Sequence, residues 1–321
     1  MVHRSSRVVF HLLLILALIL PLVPSQPIQA AQQPANQAKQ LESSDTFTLA
    51  LREEGSVWAW GMNDAWQLGN GSTDPSMVPV RIPITAEVEQ IAIGRTFGLA
   101  LDKNGDVWIW GSLDGNITDN NGLDYSIPVQ MNLSEPIVAI AAGESTAYAL
   151  TEDGHVYSWG KEEYGQLGQG PEIGEQPEPD YVLIGPETPL EGIELIASAA
   201  HFALAVDVDG KVYAWGGNMN GGLGNGNIGQ YSDFAVQVPG LSGIDAVYAG
   251  SGGYSVFAAT VTGIVYGWGD NTWGNLGVGH DYKVTLPVMI EDLSGKDVKQ
   301  ISTSYLHTLV LLEDGTVLGS G

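Results

Sequence analysis

The sequence predicts an all-β fold: a β-propeller of about six four-stranded antiparallel blades, the last of them incomplete. Three observations predict it. Trp-Gly recurs at Trp60-Gly61, Trp110-Gly111, Trp159-Gly160, Trp215-Gly216 and Trp268-Gly269, at spacings of 50, 49, 56 and 53 residues. Self-similarity at such a period marks a solenoid or a propeller. Each Trp-Gly closes one and the same 24-residue unit. The 321 residues include 42 glycines and only 15% charged residues, a composition suited to many tight turns between short strands.

The unit is plain when copies are set side by side: VEQIAIGRTFGLALDKNGDVWIWG (88–111), IVAIAAGESTAYALTEDGHVYSWG (137–160) and IELIASAAHFALAVDVDGKVYAWG (193–216). A copy over 244–269 carries two extra residues near Tyr254. At the ends, AKQLESSDTFTLALREEGSVWAWG (38–61) aligns without gaps on VKQISTSYLHTLVLLEDGTVLGSG (298–321), where Ser320 stands in the tryptophan's place. Units thus end at residues 61, 111, 160, 216, 269 and 321.

Within a unit, stretches such as 47–51 and 202–206 are apolar and too short for helices, so they read as buried strands. A hairpin signal follows, as in Asn104-Gly105, Asp153-Gly154 or Asp209-Gly210, because glycine accepts positive φ without cost. The next strand alternates: Tyr157 and Trp159 face one way, Val156 and Ser158 the other. Both faces are apolar or small, which fits a sheet covered on both sides. Small residues at Ala59, Ser158, Ala214 and Gly267 leave room for close approach, and each tryptophan ring fills the space between blades. His307 stands where other copies have Phe47, Phe97 and Phe202, and is expected in the core.

The second half of the repeat varies more. MNDAWQLGNG, KEEYGQLGQG, GNMNGGLGNG and DNTWGNLGVG share a Leu-Gly turn that SLDGNITDNNG has lost. Proline-bracketed strands follow at 78–84, 127–133 and 286–293, and proline in a strand belongs at a sheet edge, here the rim. Six copies of the unit stand against five of this second half, so the sixth blade is expected to lack its outer strand, and the natural chain or its ancestor to be longer.

The pattern of HTLVLLEDGTV (307–317) and VYSWGKEEYGQLG (156–168) resembles the repeat of the regulator of chromosome condensation family, the alpha-tubulin-suppressor-like proteins. The resemblance covers residues 38–321. It implies a propeller, typically of seven blades in that family. By analogy with the eukaryotic archetype it also implies a nucleotide exchange factor for a nuclear small GTPase, docked on chromatin. Secreted bacterial propellers of similar repeat type, which clamp β-lactamases, offer a second analogy.

Residues 1–30 have their own logic. Arg4 and Arg7 precede an apolar run from Val8 to Leu20, and Ile28-Gln29-Ala30 resembles a small-residue cleavage site. That order is a secretory signal peptide, with cleavage near Ala30 or Ala31. The run is short of the roughly 20 residues that span a bilayer, so no stable membrane insertion is expected after cleavage. A polar linker, 31–37, leads into the propeller at 38–321. Maturation leaves 10 basic residues against 37 acidic, a net charge of −27. Such a surface repels nucleic acid, whose binding depends on neutralising phosphate. The chain has no cysteine, so packing alone stabilises a protein expected outside the cell or at its envelope.

Trp-Gly and the Leu-Gly turn therefore read as structural punctuation. No catalytic, cofactor or metal residue stands out: His155, His201, His280 and His307 form no ligand spacing. G-x-S-x-G and phosphate-loop motifs are absent. The expectation is a secreted, non-enzymatic scaffold that binds an extracellular or cell-surface protein or glycan. The alternatives are an extracellular hydrolase of polymers, with carboxylates at the central channel, and an exchange-factor-like GTPase regulator by family analogy. Candidate partner-binding residues are the loop aromatics Trp66, Tyr164 and Trp273, with Glu172, Glu175, Glu178 and Asp180 of the acidic stretch PEIGEQPEPDY (171–181), read as the insertion behind the longest spacing. Trp66 replaces the glycine of Gly165, Gly221 and Gly274.

Overall fold

The computed structural model describes residues 37–116, 122–171, 173–250 and 252–321. The expected signal peptide, all of the linker but Gln37, and Glu172 lie outside the described residues. Residues 37–321 form one compact unit, a propeller of six sheets, all antiparallel. Among the described residues, five blades have four strands in chain order and the sixth has three. Blade one is Ala38–Ser43, Phe47–Arg52, Val57–Gly61 and Ser76–Arg81. Blades two to five repeat it from Val88, Ile137, Ile193 and Ile244, and blade six is Val298–Thr303, Thr308–Leu312 and Val317–Ser320.

The inner strands line a central channel of about 1040 Å³. The outer strands form the rim and carry Pro79, Pro128, Pro177 and Pro287, as the edge position of proline requires. Residues 176–181 are the outer strand of blade three, which corrects their reading as an insertion. The extra length lies just after them, in a small hairpin pairing Leu183–Gly185 with Thr188–Pro189. The alternation Pro177-Glu178-Pro179-Asp180 imitates a loop because this edge strand is polar and proline-rich.

Hairpin turns join second and third strands. Gly210 adopts φ +72 there, and a Cβ would come within 2.7 Å of the Ile244 nitrogen. Only glycine permits both the turn and the contact, and the Gly210 carbonyl accepts the Ile244 N–H at 3.1 Å. The carbonyls of Gly55 and Gly154 hold Val88 and Ile193 in the same way. With Gly105 on Ile137, the hairpins of blades one to four thus anchor the start of the next blade's inner strand, whereas the blade-five hairpin holds Gly295 instead.

Alternation in the second and third strands assigns one flank of each blade to each neighbour. Trp110, Trp159, Trp215 and Trp268 are fully buried and project toward the preceding blade. Trp110 Nε1 donates to the Gln67 carbonyl at 2.9 Å, Trp215 Nε1 to Gln166 at 3.0 Å, and Trp268 Nε1 to Gly222 at 2.8 Å. Each acceptor precedes the Leu-Gly of the previous blade's turn. Blade two lacks that turn, and among the described residues Trp159 Nε1 is buried with no hydrogen-bond partner.

The first and sixth blades each keep one flank exposed. On blade six Leu309 is 48% exposed, whereas Leu49, Leu99 and Leu204 at the same repeat position are fully buried. On blade one Trp60 is only partly buried, unlike its four sisters. His307 shares the outward flank of blade six and is exposed, which corrects its expected place in the core: Phe47, Phe97 and Phe202 are buried by a following blade.

Candidate interaction face

The strand geometry sends the first-to-second turns and the Leu-Gly loops to one face, and the Asp-Gly hairpins to the other. The Leu-Gly loops are rigid. Asn63 Oδ1 accepts the Leu68 N–H at 2.9 Å, Asn218 does so for Leu223 at 3.1 Å, and Asn271 for Leu276 at 2.9 Å. These asparagines are almost fully buried, and the sequence reading passed over them although the five-residue spacing to leucine is visible. In blade three Glu162 substitutes, accepting Leu167 N–H at 2.9 Å and Gly165 N–H. Burial raises the Glu162 carboxyl, and those two backbone donors only partly offset it.

The turns around the channel mouth are laced together. Thr46 Oγ1 donates to the Arg95 carbonyl at 2.6 Å. Arg95 N–H donates to Glu144 at 3.0 Å, Glu144 to Ala200 at 2.9 Å, and Ala200 to Gly253 at 3.2 Å. The backbone of the mouth is therefore fixed from blade one to blade five.

On this frame sits an arc of rings. Tyr164 lies 5.4 Å from His201, His201 lies 5.8 Å from Tyr254, and Tyr254 meets Tyr305 edge-on at 6.3 Å. Tyr305 is 54% exposed and Tyr164 is exposed as well. Burial, with the Glu144 charge second, pushes the Tyr254 phenol up to about 12, so it stays a neutral donor. Glu144 is held by Arg95 at 2.9 Å and faces His201 Nε2 at 3.5 Å. Among the described residues no group of three His, Cys, Asp or Glu is placed to hold a metal ion.

Of the sequence candidates, Tyr164 joins this arc. Trp273, 56% exposed, occupies the corresponding place in blade five. Trp66 is half-buried in the blade-one loop, at φ +61. Its sisters Gly165, Gly221 and Gly274 have φ +75, +82 and +77, so a bulky residue occupies a left-handed position normally left to glycine. Glu175, Glu178 and Asp180 are exposed at the rim of blade three, on or beside its outer strand, and are not part of the arc. His201, Tyr254 and Tyr305 were missed. Their signal is the variable residue pair before each second strand: Asp45-Thr46, Arg95-Thr96, Glu144-Ser145, Ala200-His201, Gly253-Tyr254, Tyr305-Leu306.

Comparison with known proteins agrees with this architecture. The family model described as RCC1-like domain matches residues 20–251, and that of the regulator of chromosome condensation (RCC1) repeat matches 262–311. The chain belongs to the RCC1-like family. It is 29% identical over 285 residues to the ultraviolet-B receptor UVR8 of Arabidopsis thaliana, covering 88% of this chain and 52% of the receptor. It is 31% identical over 159 residues to the probable E3 ubiquitin-protein ligase HERC6 of Homo sapiens, covering 49% of this chain and 15% of the ligase. The chain thus spans about half or less of these relatives. Among solved structures, Prp20p of Saccharomyces cerevisiae superposes with a TM-score of 0.75 at 22% identity, over 87% of this chain and 70% of that one. The CRINKLY ectodomain of the Arabidopsis thaliana receptor kinase ACR4 gives 0.53 at 16% identity, over 89% and 79%. These likenesses show the fold.

Proposed function

We propose that this RCC1-like propeller is a secreted, non-enzymatic scaffold whose channel-mouth face binds an extracellular protein. The observation that carries the reading is the arc Tyr164–His201–Tyr254–Tyr305: blade-to-blade backbone hydrogen bonds join the turns that carry His201 and Tyr254, and Asn275 Nδ2 donates to the Tyr305 carbonyl at 3.1 Å. Rigid exposed aromatics lose little entropy on binding and are common anchors of protein interfaces. Prp20p is described by its binding properties to Gsp1p and histones, which gives a precedent for protein binding on this fold. Chromatin is a poor ligand here, since a mature charge of −27 opposes phosphate. Glu144, the carboxylate that faces His201, is committed to Arg95, which disfavours a general acid or base role.

The test is capture of culture-supernatant and envelope proteins on immobilised residues 31–321. A mouth variant, Tyr164→Ala with Tyr305→Ala, should lose the captured species. A variant of the opposite face, Val208→Ala with Asp209→Ala, should retain it. Equal capture by both variants, or capture of glycan alone, would overturn the reading.

A further inference from the structure

The joint between blades five and six departs from the other joints. Blade six carries Ser320 where the repeat has tryptophan, and the space is not refilled. A cavity of about 340 Å³ lies there, walled by Phe257, Leu276, Ile290, Val310 and Leu318. It is the slot the missing ring would take. Gly277 and Ile290 line it; their counterparts are Gly224, against which the Trp268 indole packs, and Val238, which flanks the same glycine. The carbonyl equivalent to the acceptor of the other tryptophans adjoins the slot through Ser320, which lines it. Ser320 Oγ donates to the Asn275 carbonyl at 2.7 Å, the position equivalent to Gln67, Gln166 and Gly222. A carbonyl has two lone pairs, so Asn275 can accept a second donor.

We infer that this slot is a binding site for a small planar aromatic molecule bearing one ring N–H, an indole-type ligand. Mainly apolar walls with a few placed polar groups are the usual make-up of a small-molecule pocket, and here Thr308 and Ser320 stand among the apolar side chains. Size permits it as well: an engineered apolar cavity of about 150 Å³ suffices to bind benzene, and this one is larger. Lys296 and Asp292 also line it, and the donor requirement selects against purely hydrocarbon rings of the same shape.

The test uses the folded chain with indole as probe, followed by ligand-observed NMR and by thermal unfolding. The wild-type protein should bind indole and unfold at a midpoint that rises with indole concentration. Indene, the same shape without the N–H, should bind at least several-fold more weakly. Ser320→Trp should abolish the indole-dependent shift by filling the slot. Ser320→Ala keeps the slot and should still bind, which guards against a misfolded tryptophan variant. Absence of indole binding to wild type and to Ser320→Ala would overturn the inference, as would binding that survives in a folded Ser320→Trp.

Discussion

Gln90 on the inner strand of blade two grips Ile140 of blade three by both backbone groups. Its Nε2 donates to the Ile140 carbonyl at 3.0 Å, and its Oε1 accepts the Ile140 N–H at 3.1 Å. Gln40 grips Ile91 identically, at 2.8 and 3.0 Å. Gln300 holds the same place in blade six, on the exposed flank, and is itself exposed.

The comparison of these glutamines gives a prediction. Gln90→Ala removes two inter-blade hydrogen bonds and should cost about 1–3 kcal/mol. Gln300→Ala should stay within about 0.5 kcal/mol, as an exposed substitution does. Denaturant unfolding of both variants checks it, and equal losses would refute the clip.

Trp66 sits at φ +61 where three sister loops have glycine. Left-handed backbone costs a bulky residue about 1–2 kcal/mol. Trp66→Gly should therefore unfold no more easily than wild type, and should weaken partner capture if the ring is an anchor. A loss above about 2 kcal/mol by chemical denaturation would make Trp66 a packing residue instead.

Burial raises the carboxyls of Glu42 and Glu162 above their ordinary value of 4.5. The folded state then holds these protons more tightly than the unfolded chain. Their stabilising contribution is complete below 4.5 and is lost as pH rises through the higher folded values. Stability should decline over the range just above 4.5, and Glu162→Gln should flatten that decline. Thermal melts across the range decide it; an unchanged slope in the variant would remove Glu162 from the explanation.

The exposed flanks of blades one and six carry apolar groups, Leu309 foremost. Exposed apolar sheet faces favour association. Purified 31–321 should show concentration-dependent self-association in sedimentation velocity, and Leu309→Glu should reduce it. A strictly monomeric wild type at high concentration would contradict this.

How much was legible follows from what repeats. Trp-Gly, the Asp-Gly hairpins and the rim prolines recur at fixed period, so six blades with a three-stranded sixth could be read before any coordinates. The strand at 176–181 was missed because an edge strand needs no apolar alternation, and proline and glutamate there resemble a loop. His307 was misplaced because repeat alignment gives a residue's flank without saying whether a neighbour covers it. The arc of Tyr164, His201, Tyr254 and Tyr305 arises only when four blades bring separate turns to one mouth. Of the four, Tyr164 alone stood out in sequence, because Ala65 and Asn220 hold its place in two sister loops.

The central claim is that the recurring tryptophan is a joint between blades. The direct measurement is the unfolding free energy of Trp215→Ala beside that of Trp60→Ala. Trp215 is fully buried and bonded to the Gln166 carbonyl, whereas Trp60 lies partly exposed on the open flank of blade one. Trp215→Ala should cost about 3–5 kcal/mol, as buried large-to-small changes do, and Trp60→Ala less than half as much. Equal losses at the two positions, or an unchanged melting curve for Trp215→Ala, would contradict the claim.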